Sequence, residues 1–258
     1  LMCGFGQSGI KTDLSLFDLP TDPQTLGLMT VEGIEMVLKL WQTDPPFDFK
    51  GDFWHIHIDE TDPTIGRGLI LQPYQKPHPP IAMSVMKGNS MAARMAGARG
   101  YLPLSTNLVP VATLAQHWET YCAGAKDAGR PAPDRAIWRI ARNIFVGETS
   151  AAALDFARNS AFGRSFDYLI KLIGPGGLNN LKTDPAMPDA AVTVDYCINE
   201  LAIVGDVDDC IRRLQELWDA TGGFGTLLTI AHDWDDQAQW TRSLRLLKHA
   251  VIPALPTL

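Results

Sequence analysis

Lys87, Gly88, Asn89 and Ser90 follow one another directly after the apolar run 81–86. That run is too short for a buried helix and reads as a buried strand, approached through Pro73, Pro77, Pro79 and Pro80. Ser90 is placed as an N-cap, since its hydroxyl can accept from amides of the next turn, and Gly100 supplies a left-handed stop after Arg99. A strand, a tight loop and a helix N-terminus bring backbone amides and the positive end of the helix dipole to one place. That is an anion site, and it suits the phosphate of a mononucleotide cofactor. Nearly every strand-to-helix turn in an α/β protein offers some such amides, so the loop alone does not assign the ligand.

Two further groups could do chemistry. His232 and Asp233 place an imidazole beside a carboxylate that could orient it, after the last apolar run; the plainer reading has Asp233 capping the final helix while His232 packs beneath Trp234. His55 and His57 alternate on one strand face, and with the later His-Asp pair they suggest a barrel metallohydrolase. That rival is weak, because no histidine follows the runs ending at Met86 and Ser105 and His55 falls in a hairpin outside the main sheet. The expectation is no metal.

The elements that must position these residues alternate. Buried strands are expected over 1–5, 81–86, 101–105, 137–146 and 224–231, separated by amphipathic helices, which implies parallel strands with crossover helices. Asp22 and Pro23 start a helix carrying Leu26, Met29, Gly33, Val37, Leu40 and Trp41 on one face. Others begin at Pro110 (stacking Leu114, Trp118, Tyr121 and Ala125), at Thr149 or Ser150, at Asp206 and near Asp235. Two segments look inserted. Residues 47–59 alternate at period two and read as a small hairpin; 163–191, with a short helix over 168–173 and then Gly174-Pro175-Gly176-Gly177, has the composition of a lid over the active site.

The chain, 258 residues with 46% hydrophobic content, is expected to form one domain over 1–258. A net charge of −7 without any basic run argues against nucleic acid. No apolar run approaches the roughly 20 residues of a membrane span, and nothing resembles a signal peptide, so no membrane partner and a cytoplasmic location are expected. The four cysteines lie far apart, with no CxxC pair, and read as reduced packing residues.

Cys3-Gly4-Phe5-Gly6, then Asp13, then Phe17 ahead of Asp22-Pro23 and a helix with Glu32 and Leu38-Lys39-Leu40-Trp41, resembles the fourth strand-helix unit of the bacterial luciferase-like flavin monooxygenases. The order continues through the Lys50-Gly51-Asp52-Phe53-Trp54 hairpin, Gln72-Pro73-Tyr74-Gln75-Lys76-Pro77-His78-Pro79-Pro80-Ile81, and a strand leading into Ala96-Gly97-Ala98-Arg99-Gly100. Val204-Gly205-Asp206, Gly225-Thr226-Leu227-Leu228 and His232-Asp233-Trp234 resemble the closing part of the family, and the chain is most similar to the limonene-monooxygenase-like branch.

The resemblance implies an α/β fold of the (β/α)8 TIM-barrel type, here an incomplete barrel of strands four to eight with insertions. It implies that strands one to three, which carry the family's catalytic histidine and flavin-stacking residues, lie outside this sequence, so that catalysis by the fragment is incomplete. It implies FMN, supplied reduced by a separate flavin reductase, with O2 and a small apolar organic substrate; some members use F420 instead, and the family commonly forms homodimers. The strand end that approaches the flavin falls on Gly4, Phe5 and Gly6, where glycines let backbone come close to a flat ring. Arginines that many relatives carry near Phe5 and Leu28 are absent here. The resemblance therefore shifts phosphate binding to Lys87, Gly88, Asn89 and Ser90, with Lys87 as a point charge, and counts Met86 before them among the cofactor-binding residues. His232, at the C-terminal mouth, would hydrogen-bond the substrate or the oxygenated flavin, oriented by Asp233. The alternative from the same resemblance is a non-catalytic flavin-binding or partner subunit, distinguished by whether a histidine ends the barrel's second strand.

Overall fold

Asp22 accepts from the Thr25 amide at 2.7 Å and Pro23 stands first in the helix, so the N-cap read from the sequence opens the longest helix of the computed structural model. The structure describes residues 1–7, 10–230 and 232–255. It divides into two compact units, Leu1–Met83 and Ser84–Leu258.

In the first unit, β1 (Cys3–Phe5) and α1 (Lys11–Leu16) precede α2 (Pro23–Leu40), the antiparallel pair β2 (Phe47–Lys50) and β3 (His55–Ile58), and β4 (Ile81–Val85), whose last two residues belong to the second unit. β1 runs parallel to β4, with Cys3 opposite Ile81 and Phe5 opposite Met83. The hairpin expected over 47–59 is present, and its turn is tied down by Glu32, whose carboxylate accepts from the amides of Asp52, Phe53 and Trp54 at 2.9, 3.0 and 2.8 Å. The expected apolar face of α2 is only partly right. Leu26, Gly27, Ile34 and Met36 are its buried residues, while Met29, Val37 and Leu40 are half-buried.

The second unit continues with α3 (Met91–Arg99), β5 (Leu102–Ser105), α4 (Val111–Asp127), β6 (Arg139–Arg142), β7 (Ile144–Val146), α5 (Ser150–Asn159), α6 (Ala161–Ile173), α7 (Val194–Glu200), β8 (Ile203–Gly205), α8 (Val207–Thr221), β9 (Thr226–Thr229) and α9 (Gln237–Leu246). The order β4-β5-β6-β9 makes a sheet in which β5–β6 and β6–β9 are parallel, and among the described residues the strands do not close on themselves. Ser90 and Gly100 cap α3 as expected, the latter at φ 71°.

Four local expectations need correction. The single strand expected over 137–146 is a 3-10 turn followed by β6 and β7, because the ladder changes partner at Asn143: β6 pairs with β9, but the Asn143 carbonyl accepts from the Ile203 amide at 2.9 Å and β7 pairs with β8. β8 itself is three residues long, below the length at which an apolar run signals a strand. The short helix expected over 168–173 is the end of α6, which begins at Ala161. Gly163, read as a loop residue, is a close-contact residue: a Cβ there would lie 2.4 Å from the Arg158 carbonyl oxygen. The strand expected over 224–231 is β9, four residues long; Ala231 lies outside the described residues.

The core of the second unit has two aromatic centres. Phe145, Phe162, Phe166 and Trp240 gather with Leu181 and Ile198 around α5, α6 and α9. Trp138, wholly buried before β6, stacks on Trp118 of α4 at 5.3 Å, and Trp118 on Tyr121 at the same distance. No described helix is long and apolar enough to cross a membrane.

Candidate active site

The loop after β4 is built as its residue types predict. The Ser90 hydroxyl accepts from the Ala93 amide at 3.1 Å, so Met91 and Ala92 are left with the N-terminal amides that no helical carbonyl can reach. Lys87 and Asn89 are exposed, and Met86, Gly88 and Ser90 half-buried. α4 holds the loop in place: the Thr120 hydroxyl lies 3.2 Å from the Gly88 carbonyl oxygen and 3.3 Å from Asn89 Oδ1. A Cβ on Gly88 would fall 2.0 Å from Gln116 Oε1, the mobile tip of a side chain that could swing aside.

His232 follows β9 and is half-buried between Phe162 and Trp240, with ring centroids 5.2 and 5.9 Å away. Its packing partner is not Trp234, which is 47% exposed, and the helix cap is not Asp233 but Asp236, which accepts from the Gln239 amide at 3.0 Å. Burial lowers the imidazole's pKa, against the opposing charges of Asp233 and Asp235. The ring is therefore neutral at physiological pH, and its Nε2 is buried without a hydrogen-bond partner.

Asp235, which sequence reasoning did not single out, anchors this segment. Its carboxylate accepts from the Ala161 amide at 2.6 Å, from Arg164 at 2.7 Å and from the Trp240 indole at 3.4 Å. Desolvation pushes its pKa up, but these donors outweigh it and hold the group below the usual carboxylate range. The signal available was an acidic residue just ahead of an expected helix.

In the first unit Gly4 and Gly6 are exposed and Phe5 is half-buried at the end of β1; nothing lies within 4 Å of where a Cβ on Gly4 would stand. Among the described residues no group of three His, Cys, Asp or Glu is placed to hold a metal. His55 instead pairs with Asp48 at 2.5 Å on the exposed hairpin. The four cysteines are free thiols, Cys197 and Cys210 buried and Cys3 and Cys122 half-buried.

A second group that the sequence did not reveal lies beneath α4. Trp138 Nε1 donates to Ser105 Oγ at 2.9 Å, so the Ser105 hydroxyl is free to donate to His117 Nδ1, also at 2.9 Å. Burial, with the nearby Arg142 charge adding to it, pushes the His117 pKa down to about 4. Its folded pKa lies below the ordinary 6.5, so the unfolded chain takes up the proton first; stability is fully present above pH 6.5 and is lost as pH falls toward 4. The loss should approach about 3 kcal/mol. Urea unfolding at pH 6.5 and 4.5 checks it: His117→Gln should show a shallower drop than the parent protein, and parallel drops would contradict it.

Comparison with known proteins places these geometries in a family. The sequence model of the luciferase-like monooxygenase family matches residues 1–223. The chain is 28% identical over 242 residues to a 3,6-diketocamphane 1,6-monooxygenase of Pseudomonas putida, covering 91% of this chain and 63% of that protein. It is 29% identical over 255 residues to a 4-hydroxyprotoasukamycin monooxygenase of Streptomyces nodosus subsp. asukaensis, covering 97% and 64%. The solved structure of the oxygenating constituent of 3,6-diketocamphane monooxygenase from P. putida, a type II Baeyer-Villiger monooxygenase in complex with FMN, superposes with a TM-score of 0.79 at 26% identity, covering 98% of this chain and 70% of that one. The chain thus spans somewhat under two thirds of the length of the two named relatives.

Proposed function

This chain belongs to the luciferase-like monooxygenase family, and from that premise we propose that the protein is an FMN-dependent monooxygenase that takes reduced flavin from a separate reductase and oxygenates a small apolar organic substrate with O2. The observation that carries the reading is the Lys87–Ser90 loop: a capped helix N-terminus with an exposed ammonium, at the C-terminal end of a parallel strand, where α/β folds bind their ligands. The FMN complex of the P. putida oxygenating constituent supports it. A cytoplasmic homodimer is part of the same proposal.

The residues present fit the cofactor. The amides of α3's first turn, Lys87, Asn89 and Ser90 would take the phosphate, with Met86 preceding them in the chain, and the Thr120 hydroxyl bonds that loop to α4. In the first unit taken by itself, the open space over Gly4, with Phe5 and Gly6 beside it, would suit a flat ring laid on backbone. Reduced FMN, when bound, supplies the electrons that activate O2, one atom of which goes to the substrate. His232 supplies a neutral imidazole whose buried Nε2 can donate a hydrogen bond to a developing oxyanion, and Asp235 keeps it in place. Phe162 and Trp240 shield it from water.

Titration of the protein with FMN and with riboflavin, read by flavin fluorescence, tests the loop. FMN should bind at least about tenfold tighter, the worth of one charge-assisted phosphate contact, and Lys87→Glu should erase that difference while leaving riboflavin affinity unchanged. Equal affinities, or an unaffected preference in Lys87→Glu, would remove the loop from the site. The same titration with F420 decides between the two flavin types.

A further inference from the structure

Among the described residues, the buried Arg142 of β6 forms no ion pair with a carboxylate. Trp138, Ile140 and Arg142 alternate toward the helix layer, where Trp138 meets α4, and are 0, 0 and 2% exposed. Arg142 Nη1 donates to the carbonyls of Thr106 at 3.3 Å and Ala141 at 3.0 Å, but its Nη2 is buried with no partner. That guanidinium lines a cavity of about 190 Å³ together with Val111 of α4, Asn199 and Glu200 at the end of α7, and Arg213 and Glu216 of α8. Arg213, half-buried, is held by the Asn199 carbonyl and faces the same space.

Two guanidinium groups thus share one small cavity. Glu200 and Glu216 are exposed and act on Arg213; Glu216 is also paired with Arg212 at 2.9 Å. Arg142 has its pKa lowered by burial first and then by the Arg213 charge. Burying an unpaired ion is costly, and an anion held between the two donors would offset that cost. Arginine's planar fork matches an oxyanion edge-on, and the orphaned Nη2 offers such an edge.

We propose that the cavity between Arg142 and Arg213 is a binding site for a small oxyanion, with inorganic phosphate as its probe, separate from the flavin site and acting on the stability of the β6, α7 and α8 region. The site lies on the helix-facing side of β6, whereas the flavin loop follows β4 and His232 follows β9.

Thermal unfolding of the full protein against phosphate, at ionic strength fixed with chloride, tests it. The melting temperature should rise saturably, by about 5 °C at a hundredfold excess over the dissociation constant. Arg213→Gln, at the half-buried rim where folding is not at risk, should lose the rise; Lys87→Glu should keep it, which separates this cavity from the flavin loop. Arg142→Met should also lose it, and should melt no lower than the parent in chloride alone. Absence of a saturable rise in the parent, or a rise kept by Arg213→Gln and lost by Lys87→Glu, overturns the proposal.

Discussion

His232→Ala is expected to lower oxygenation by roughly 10²- to 10³-fold while FMN affinity changes by less than about threefold. The size follows from the location of the ring. Its Nε2 is desolvated and without a partner, so a hydrogen bond from it to a developing negative charge replaces nothing and is worth more than a bond in water. Burial keeps the imidazole neutral, which makes it a donor through one nitrogen across the physiological range. Its neighbours are Phe162, Trp240 and the Asp235-anchored segment, none of which belongs to the phosphate loop, so flavin binding should be nearly indifferent to the change. Product formation under saturating reduced FMN, set against a fluorescence titration of FMN, separates the two. Turnover equal to the parent's would make His232 a packing residue only. Asp235→Asn should lower turnover less, because it loosens the ring rather than removing it.

The second large effect is on stability. Gly97→Ala should destabilise the protein by about 2–3 kcal/mol, the range for forcing an added methyl into a packed contact, and lower its melting temperature by roughly 5–10 °C. α3 and α4 meet backbone to backbone: a Cβ on Gly97 would stand 1.9 Å from the Tyr121 carbonyl oxygen, and one on Gly124 would stand 2.0 Å from the Arg94 carbonyl oxygen. Backbone cannot swing aside as a side-chain tip can, so the helices must separate. Alanine's better helix propensity returns about 1 kcal/mol, which is already counted in that figure. Because Thr120 of α4 bonds to Gly88 and Asn89 of the loop, the same change should weaken FMN binding. Gly4→Ala is the control, with open space at its Cβ: it should unfold within about 1 °C of the parent. Calorimetry of Gly97→Ala showing no shift would contradict the close-packed account.

Much of this was legible in the chain because short-range rules govern it. Asp22-Pro23, Ser90 and Gly100 carry their capping roles in their own side chains and backbone freedom, and the period-two alternation around His55 and His57 specified the hairpin. What the sequence hid depends on long-range partners. Asn143 reads as the middle of one strand, and only the arrival of Ile203 breaks the ladder there. Gly163 reads as a loop residue until α5 lies against it. His117 is one titratable residue on the buried face of an otherwise mixed helix, and its meaning comes from Ser105 and Trp138 on other elements. At the candidate site the split is the same. The Lys87–Ser90 loop is contiguous and could be read; the support of His232 by Phe162, Trp240 and Asp235 comes from residues that only the fold assembles.

The account stands most directly on the fate of molecular oxygen. Incubating the protein with FMN, a flavin reductase, NADH and small apolar organic substrates under ¹⁸O2, and weighing the products, should show one labelled oxygen atom per product molecule, dependent on reduced FMN and sharply diminished in His232→Ala. Products that carry oxygen from labelled water instead would contradict it.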